Sequence, residues 1–176
     1  LLRARVAACL EKKRLRDREM QHLQQIDRLL HAIFPPEVVE ELTRDGEIQP
    51  RRHDKVGVCF VDVVGFTSYC DQHAGQPEEV VSKLEWYVEA FEDVARRHGV
   101  QKIKTIGDAF LMVSGLLRPV DNPVLQLVCC AVDLLRRVRE GPAGWQVRVG
   151  VHVGPVVAGT LGGSQYSYDL WGSTVN

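Results

Sequence analysis

Little in this chain advertises a membrane or a polyanion as its partner. No uninterrupted apolar stretch approaches the length needed to cross a bilayer, and the N-terminus lacks the basic-then-apolar pattern of a signal peptide. Lysines and arginines (22) nearly balance aspartates and glutamates (23), which removes the case for nucleic acid or an anionic membrane as the main partner. The five cysteines, Cys9, Cys59, Cys70, Cys129 and Cys130, are odd in number and form no CxxC pair. Lying mostly in apolar runs, they read as buried, reduced thiols of a cytoplasmic domain. Metal-ligand spacings such as HExxH, a Walker lysine motif and a Ser-His-Asp arrangement are all missing, and His152 in "VGVHVG" is expected to pack in a strand rather than do chemistry. What is present is a chain of 176 residues, 45% hydrophobic, enough for one cored domain and an appendage. It begins at Leu1 and stops at Asn176 inside a motif-like run, which reads as a fragment of a longer protein. Any membrane contact is expected only through parts outside it.

Residues 1–49 form the appendage. The first 34 or so are rich in Arg, Lys, Glu, Gln and Leu without Gly or Pro, which favours one long helix. A partial heptad stripe runs through Val6, Cys9, Met20, Leu23, Leu30 and Phe34, interrupted by Lys13, Arg16 and Asp27; it is compatible with a parallel dimer stalk or with a solvated helix. Pro35 and Pro36 then open a second helix that closes at Gly46, and a polar link, "EIQPRRHDK", follows. Residues 50–176 form the main domain. "VGVCFVDVV" reads as a buried strand, and the segment around 76–99 as a helix with apolar residues Val80, Val81, Leu84, Tyr87, Val88, Phe91 and Val94 at helical spacing. "VQKIKTI" and "AFLMVSG" are strands joined by a Gly107-Asp108 hairpin turn. A helix from about Pro123 to Arg139 and a strand "WQVRVGVHVG" complete a β-α-β-β-α-β order, the α+β, ferredoxin-like arrangement. The glycines at 154, 159, 162 and 163 suggest tight turns rather than a phosphate loop.

Two aspartates stand out against this frame. Asp62 and Asp108 each sit where an apolar strand meets a glycine turn, and burying a lone carboxylate there is costly unless its charge is matched. In the expected topology the first strand and the hairpin are neighbours at the sheet centre, so the two carboxylates can approach each other. Paired oxygen ligands beside flexible backbone suit divalent cations and a triphosphate. The turn after Asp62 would present the N–H groups of Gly65, Phe66 and Thr67 to an anion, or be an ordinary turn capped by Thr67 or Ser68. Lys104 and Asp169 are charges inside otherwise apolar or aromatic runs. Adenine, with an acceptor at N1 and a donor at its 6-amino group, would satisfy a lysine and a carboxylate in turn, whereas guanine would present the wrong partner to both. An edge-strand surface position for Lys104 and a turn position for Asp169 are the alternatives.

The runs "FVDVVGFTSYC", "KIKTIGDAFLMVSG", "VRVGVHVGPVVAGTLG" and "YDLWGSTVN" resemble, in order and spacing, the class III nucleotidyl cyclases, and "LLHAIFPPEVVEEL" is similar to the helical segment preceding many such domains. The resemblance implies that Asp62 and Asp108, with the Val63 carbonyl, hold two Mg²⁺ or Mn²⁺ ions. It also implies that Lys104 and Asp169 select the base, with the adenine-type pair where guanylate cyclases typically carry Glu and Cys, and that Asn176 orients the ribose. The implied reaction is attack of the ATP 3′-oxygen on the α-phosphorus, giving cyclic AMP and pyrophosphate at the interface of a head-to-tail homodimer. One protomer would give the metal aspartates and the other the base-reading and ribose residues. The family's transition-state arginine lies four residues past Asn176 and a phosphate-binding lysine further on, so residues 1–176 alone are expected to catalyse poorly. A guanylate cyclase, or a non-catalytic regulatory or dimerisation module of the same fold, is the alternative reading. A two-metal phosphodiester enzyme on a related sheet would need a basic groove that the charge balance does not suggest.

Overall fold

The computed structural model describes residues 2–162 and 166–176; Gly163, placed above in a glycine turn, lies outside them. The chain divides into two compact units, Leu1–Glu47 and Ile48–Asn176. The first contains α1 (Leu2–Ile33) and α2 (Pro36–Asp45). Pro36 supplies the preset φ of a first helical position, and Gly46, at φ 78°, closes α2 in the left-handed conformation while its N–H donates to the Leu42 carbonyl. Along α1 the apolar side chains Leu10, Leu15, Met20, Leu23, Ile26, Leu29 and Ile33 are all more than half exposed. No helix among the described residues is long and apolar enough to cross a membrane.

The second unit contains β1 (Arg51–Val63), α3 (Phe66–Gln72), α4 (Pro77–Arg97), β2 (Gln101–Ile106), β3 (Ala109–Ser114), α5 (Pro123–Val138), β4 (Val147–Leu161) and β5 (Ser167–Trp171). The strands form one antiparallel sheet in the order β2-β3-β1-β4-β5, so the first four realise the expected βαββαβ topology with β1 at the centre. Cys59, Val61 and Val63 of β1 and Phe110 and Met112 of β3 point to one face, where they meet Tyr87, Phe91 and Val94 of α4 and Leu127, Cys130, Leu134 and Val138 of α5. Each large apolar side chain fully buried in this layer is worth about 1.5–3 kcal/mol. Because side chains alternate across a strand, Phe60 and Asp62 leave β1 on the opposite face.

Several expectations need correction. The polar link does not end at Lys55: Arg51, Arg52 and His53 already pair with β4, and their polar side chains carry no hydrophobic signal of a strand. β4 runs on past Gly154 and Pro155 to Leu161, and Asp169, for which a turn was the alternative reading, lies in a short fifth strand. His152 is exposed on β4 rather than packed. Of the cysteines, only Cys59 and Cys130 are buried; Cys9 and Cys129 are exposed and Cys70 is intermediate. Burial pushes the Cys59 thiol up to about 12.

Candidate active site

Asp62, near the end of β1, is opposite Arg148 of β4 in the strand register. Opposed residues share a face, and Arg148 Nε donates to Asp62 Oδ2 at 3.1 Å while its Nη2 donates to the same oxygen. The carboxylate's charge is therefore matched by a guanidinium. No motif reading singled out Arg148; the available signal was its place two residues into a strand that otherwise alternates valine and glycine.

Asp108 occupies the second position of the tight turn between β2 and β3, after Gly107 at φ +62°. A positive φ at the first central residue is the form of two-residue hairpin in which glycine leads. The β1–β3 register, Phe60 with Leu111 and Val61 with Phe110, continues toward Val63 abreast of Asp108. The Val64 N–H donates to the Gln146 carbonyl at 2.8 Å on the β4 side. Since backbone groups alternate sides along a strand, the Val63 carbonyl is directed to the other side, toward the hairpin. Asp62 and Asp108 are both half-buried.

Beyond β1 the chain turns through Gly65 at φ 75° into α3, whose first intrahelical bond is Tyr69 N–H to the Gly65 carbonyl at 3.0 Å. Neither Thr67 nor Ser68 caps this helix; Gly65 is the N-cap and no side-chain cap bond exists. The N–H groups of Phe66 and Thr67 fall in the first turn, where a helix has no partner of its own to offer. The Phe66 side chain turns inward, edge-on to Trp145 with centroids 5.4 Å apart, and Tyr69 meets the same indole at 5.0 Å. Trp145 in turn donates its backbone N–H to the Tyr87 hydroxyl at 3.1 Å. An aromatic stack thus ties the turn to the core.

Lys104 and Asp169 come from β2 and β5, the two outermost strands, yet Lys104 Nζ donates to Asp169 Oδ2 at 2.5 Å. The sheet curls so that its opposite edges meet at this pair. A bulge between Lys102 and Lys104 sets the lysine's side. Lys102 opposes Met112, whose side chain faces the helices; one extra residue at Ile103 puts Lys104 opposite Leu111, on the face that carries Phe60 and Asp62. The other Asp169 oxygen accepts the Leu170 N–H at 2.8 Å, which fixes the carboxylate. Asn176 is exposed, but its turn is pinned to β4: the buried Thr174 hydroxyl donates to the Pro155 carbonyl at 2.7 Å. Gly154 makes room for it, since a Cβ there would lie 2.6 Å from Thr174 Oγ1.

The donor set at Asp62, Asp108 and Val63 consists of oxygens alone, which fits hard divalent ions. Among the described residues no group of three or more His, Cys, Asp or Glu side chains could enclose a metal, so phosphate and water oxygens would have to complete the shell. Residues 48–176 match the adenylate and guanylate cyclase catalytic domain. The chain belongs to this cyclase family. The chain is 36% identical over 157 residues to receptor-type guanylate cyclase gcy-28 of Caenorhabditis elegans, covering 86% of this chain and 12% of that protein. It is 35% identical over 155 residues to an adenylate cyclase of Mycobacterium bovis, covering 84% of this chain and 34% of the relative. This cyclase chain therefore spans 12% of the first relative's length and 34% of the second's. Among solved structures it is similar to the catalytic core of a rhodopsin-guanylyl cyclase with converted specificity in complex with ATPαS, at 30% identity and TM-score 0.67, covering 72% of this chain and 70% of that one.

Proposed function

We propose that this cyclase domain acts on ATP, converting it to 3′,5′-cyclic AMP and pyrophosphate. The observation that carries the substrate reading is the Lys104–Asp169 pair at 2.5 Å, an ammonium donor and a carboxylate acceptor fixed side by side. Adenine N1 accepts from the lysine and the 6-amino group donates to the aspartate, whereas guanine presents a donor and an acceptor in the opposite places. Relatives of both substrate types match the chain, so the base reading rests on these two side chains.

In this reading Asp62, Asp108 and the Val63 carbonyl hold two Mg²⁺ or Mn²⁺ ions. Bound there, the ions would supply acidity to the 3′-hydroxyl and charge neutralisation to the triphosphate. Arg148, released from Asp62 when cations take its place, is positioned to donate to phosphate oxygens, as are the N–H groups of Gly65, Phe66 and Thr67. Asn176 orients the ribose, so that the 3′-oxygen attacks the α-phosphorus while the bond to the β-phosphate oxygen breaks and pyrophosphate departs. Each site joins Asp62 and Asp108 of one copy with Lys104, Asp169 and Asn176 of another in a head-to-tail homodimer, with α1 as a helical stalk. The test is Lys104→Glu with Asp169→Cys in a protein extending beyond Asn176. Preference should move from ATP toward GTP, and an unchanged preference refutes the assignment. Cyclic nucleotide formation from neither substrate, with Mg²⁺ or Mn²⁺, would leave the non-catalytic module as the better reading.

A further inference from the structure

The two helices over the sheet solvate their outer faces differently. α4 presents Glu78, Glu85, Glu89 and Glu92 to water, as an amphipathic surface helix should. α5 buries Leu127, Cys130, Ala131, Leu134 and Val138 yet also exposes Val124, Leu125, Val128, Val132 and Leu135, with Leu125 at 58%. Cys129 is exposed on the same side. A helix that is apolar on both sides needs a second cover. Leu125, Val128, Val132 and Leu135 are spaced three, four and three apart, which makes a straight seam for packing against another helix.

The seam reads the same in both directions about position 130. In an antiparallel pairing of two copies centred there, Leu125 meets Leu135 and Val128 meets Val132, each contact occurring twice, as an isologous interface requires. The same symmetry sets Asp121 of one copy against Arg139 of the other. Both are exposed. Arg136 and Arg137, by contrast, are engaged with Asp133 and Glu140 within the chain. An unrelated partner has no reason to find apolar residues and end charges arranged symmetrically. We propose that the outer face of α5 is a docking surface for α5 of a second copy of this chain, antiparallel and centred on residue 130. The face points away from the side of the sheet that carries Phe60 and Asp62, so a copy engaged through the sheet can engage another through α5. Sixteen residues span about 24 Å, short of a standard-sized interface, so the contact is weak alone and is strengthened when copies are already tethered.

Cys129 provides the test, because the two copies of it flank the symmetry axis on one side of the helix pair. In the full chain carrying Cys9→Ser and Cys70→Ser, a short bismaleimide should yield covalent dimers through Cys129, which sediment as tetramers where the sheet face also pairs. Val128→Glu or Val132→Glu, on exposed positions, should abolish the product and lower the sedimenting mass. Arg139→Asp should reduce it several-fold, and adding Asp121→Arg should restore it. Absence of the cross-link while Cys129 reacts fully with a monofunctional maleimide overturns the proposal. So does a cross-link that survives Val132→Glu.

Discussion

Replacing Arg148 by glutamine should move two affinities in opposite directions. Arg148 pairs with Asp62, so in the proposed site a divalent ion has to displace it. The guanidinium side chain is 74% exposed and the carboxylate 30%, and pairs this open are worth about 0.2–1 kcal/mol. Removing the competitor should tighten nucleotide-free Mn²⁺ binding by roughly 1.4- to 5-fold, taking 1.4 kcal/mol per tenfold. The freed guanidinium is also the group placed to donate to the triphosphate. A hydrogen bond to a charged group is worth about 1.5–3 kcal/mol, so binding of a non-cyclisable ATP analogue at saturating Mn²⁺ should weaken by roughly 10- to 100-fold. Electron paramagnetic resonance of free Mn²⁺ reads the first quantity and calorimetry the second. Changes of the same sign, or no change in either, would refute the placeholder argument.

Three further outcomes follow from the packing. Gly57→Ala would set a Cβ 2.6 Å from Leu127 Cδ1 and 3.2 Å from the Pro123 carbonyl oxygen, and Leu127 is wholly buried. Urea unfolding should show a loss of about 1–3 kcal/mol. Tyr87→Phe strips the buried Trp145 N–H of its acceptor, costing about 1–3 kcal/mol, and loosened Trp145 fluorescence should accompany it. Above pH 9.0 stability should fall: the unfolded Cys59 thiol ionises near its ordinary 9.0 while the folded one keeps its proton to about 12. The unfolded state therefore binds fewer protons in that window. Cys59→Ala should flatten the slope there whatever it does to the baseline, and a slope unchanged in the variant would disprove the cause.

Patterns carried by short-range physics were readable in advance. A β-branched apolar run marked β1, an apolar run marked β3, the helical spacing from Val80 to Val94 marked α4, and Gly107-Asp108 marked the hairpin, so β1 and the hairpin bearing Asp62 and Asp108 could be set side by side. What escaped depends on long-range arrangement. The bulge that swings Lys104 to the open face leaves no compositional trace, since Ile103 is an ordinary strand residue. Arg148 acquires meaning only from its register with Asp62, and Thr174 only from the gap that Gly154 leaves beside it. β5 is five residues long, too short for its alternation to exceed that of a loop, and Arg51–Lys55 are strand by pairing alone.

The base-reading role proposed for the ion pair that joins the two edges of the sheet would also constrain how the domain's selectivity can drift over generations. Lys104→Glu alone would place two carboxylates where one lysine now meets one aspartate, and Asp169→Cys alone would leave an ammonium facing a thiol. Either first step disturbs the closure between β2 and β5 as well as the base contact, so the halfway sequence is penalised twice. A lineage would cross between nucleotide preferences by near-simultaneous exchange, or after prior reinforcement of the sheet edges elsewhere.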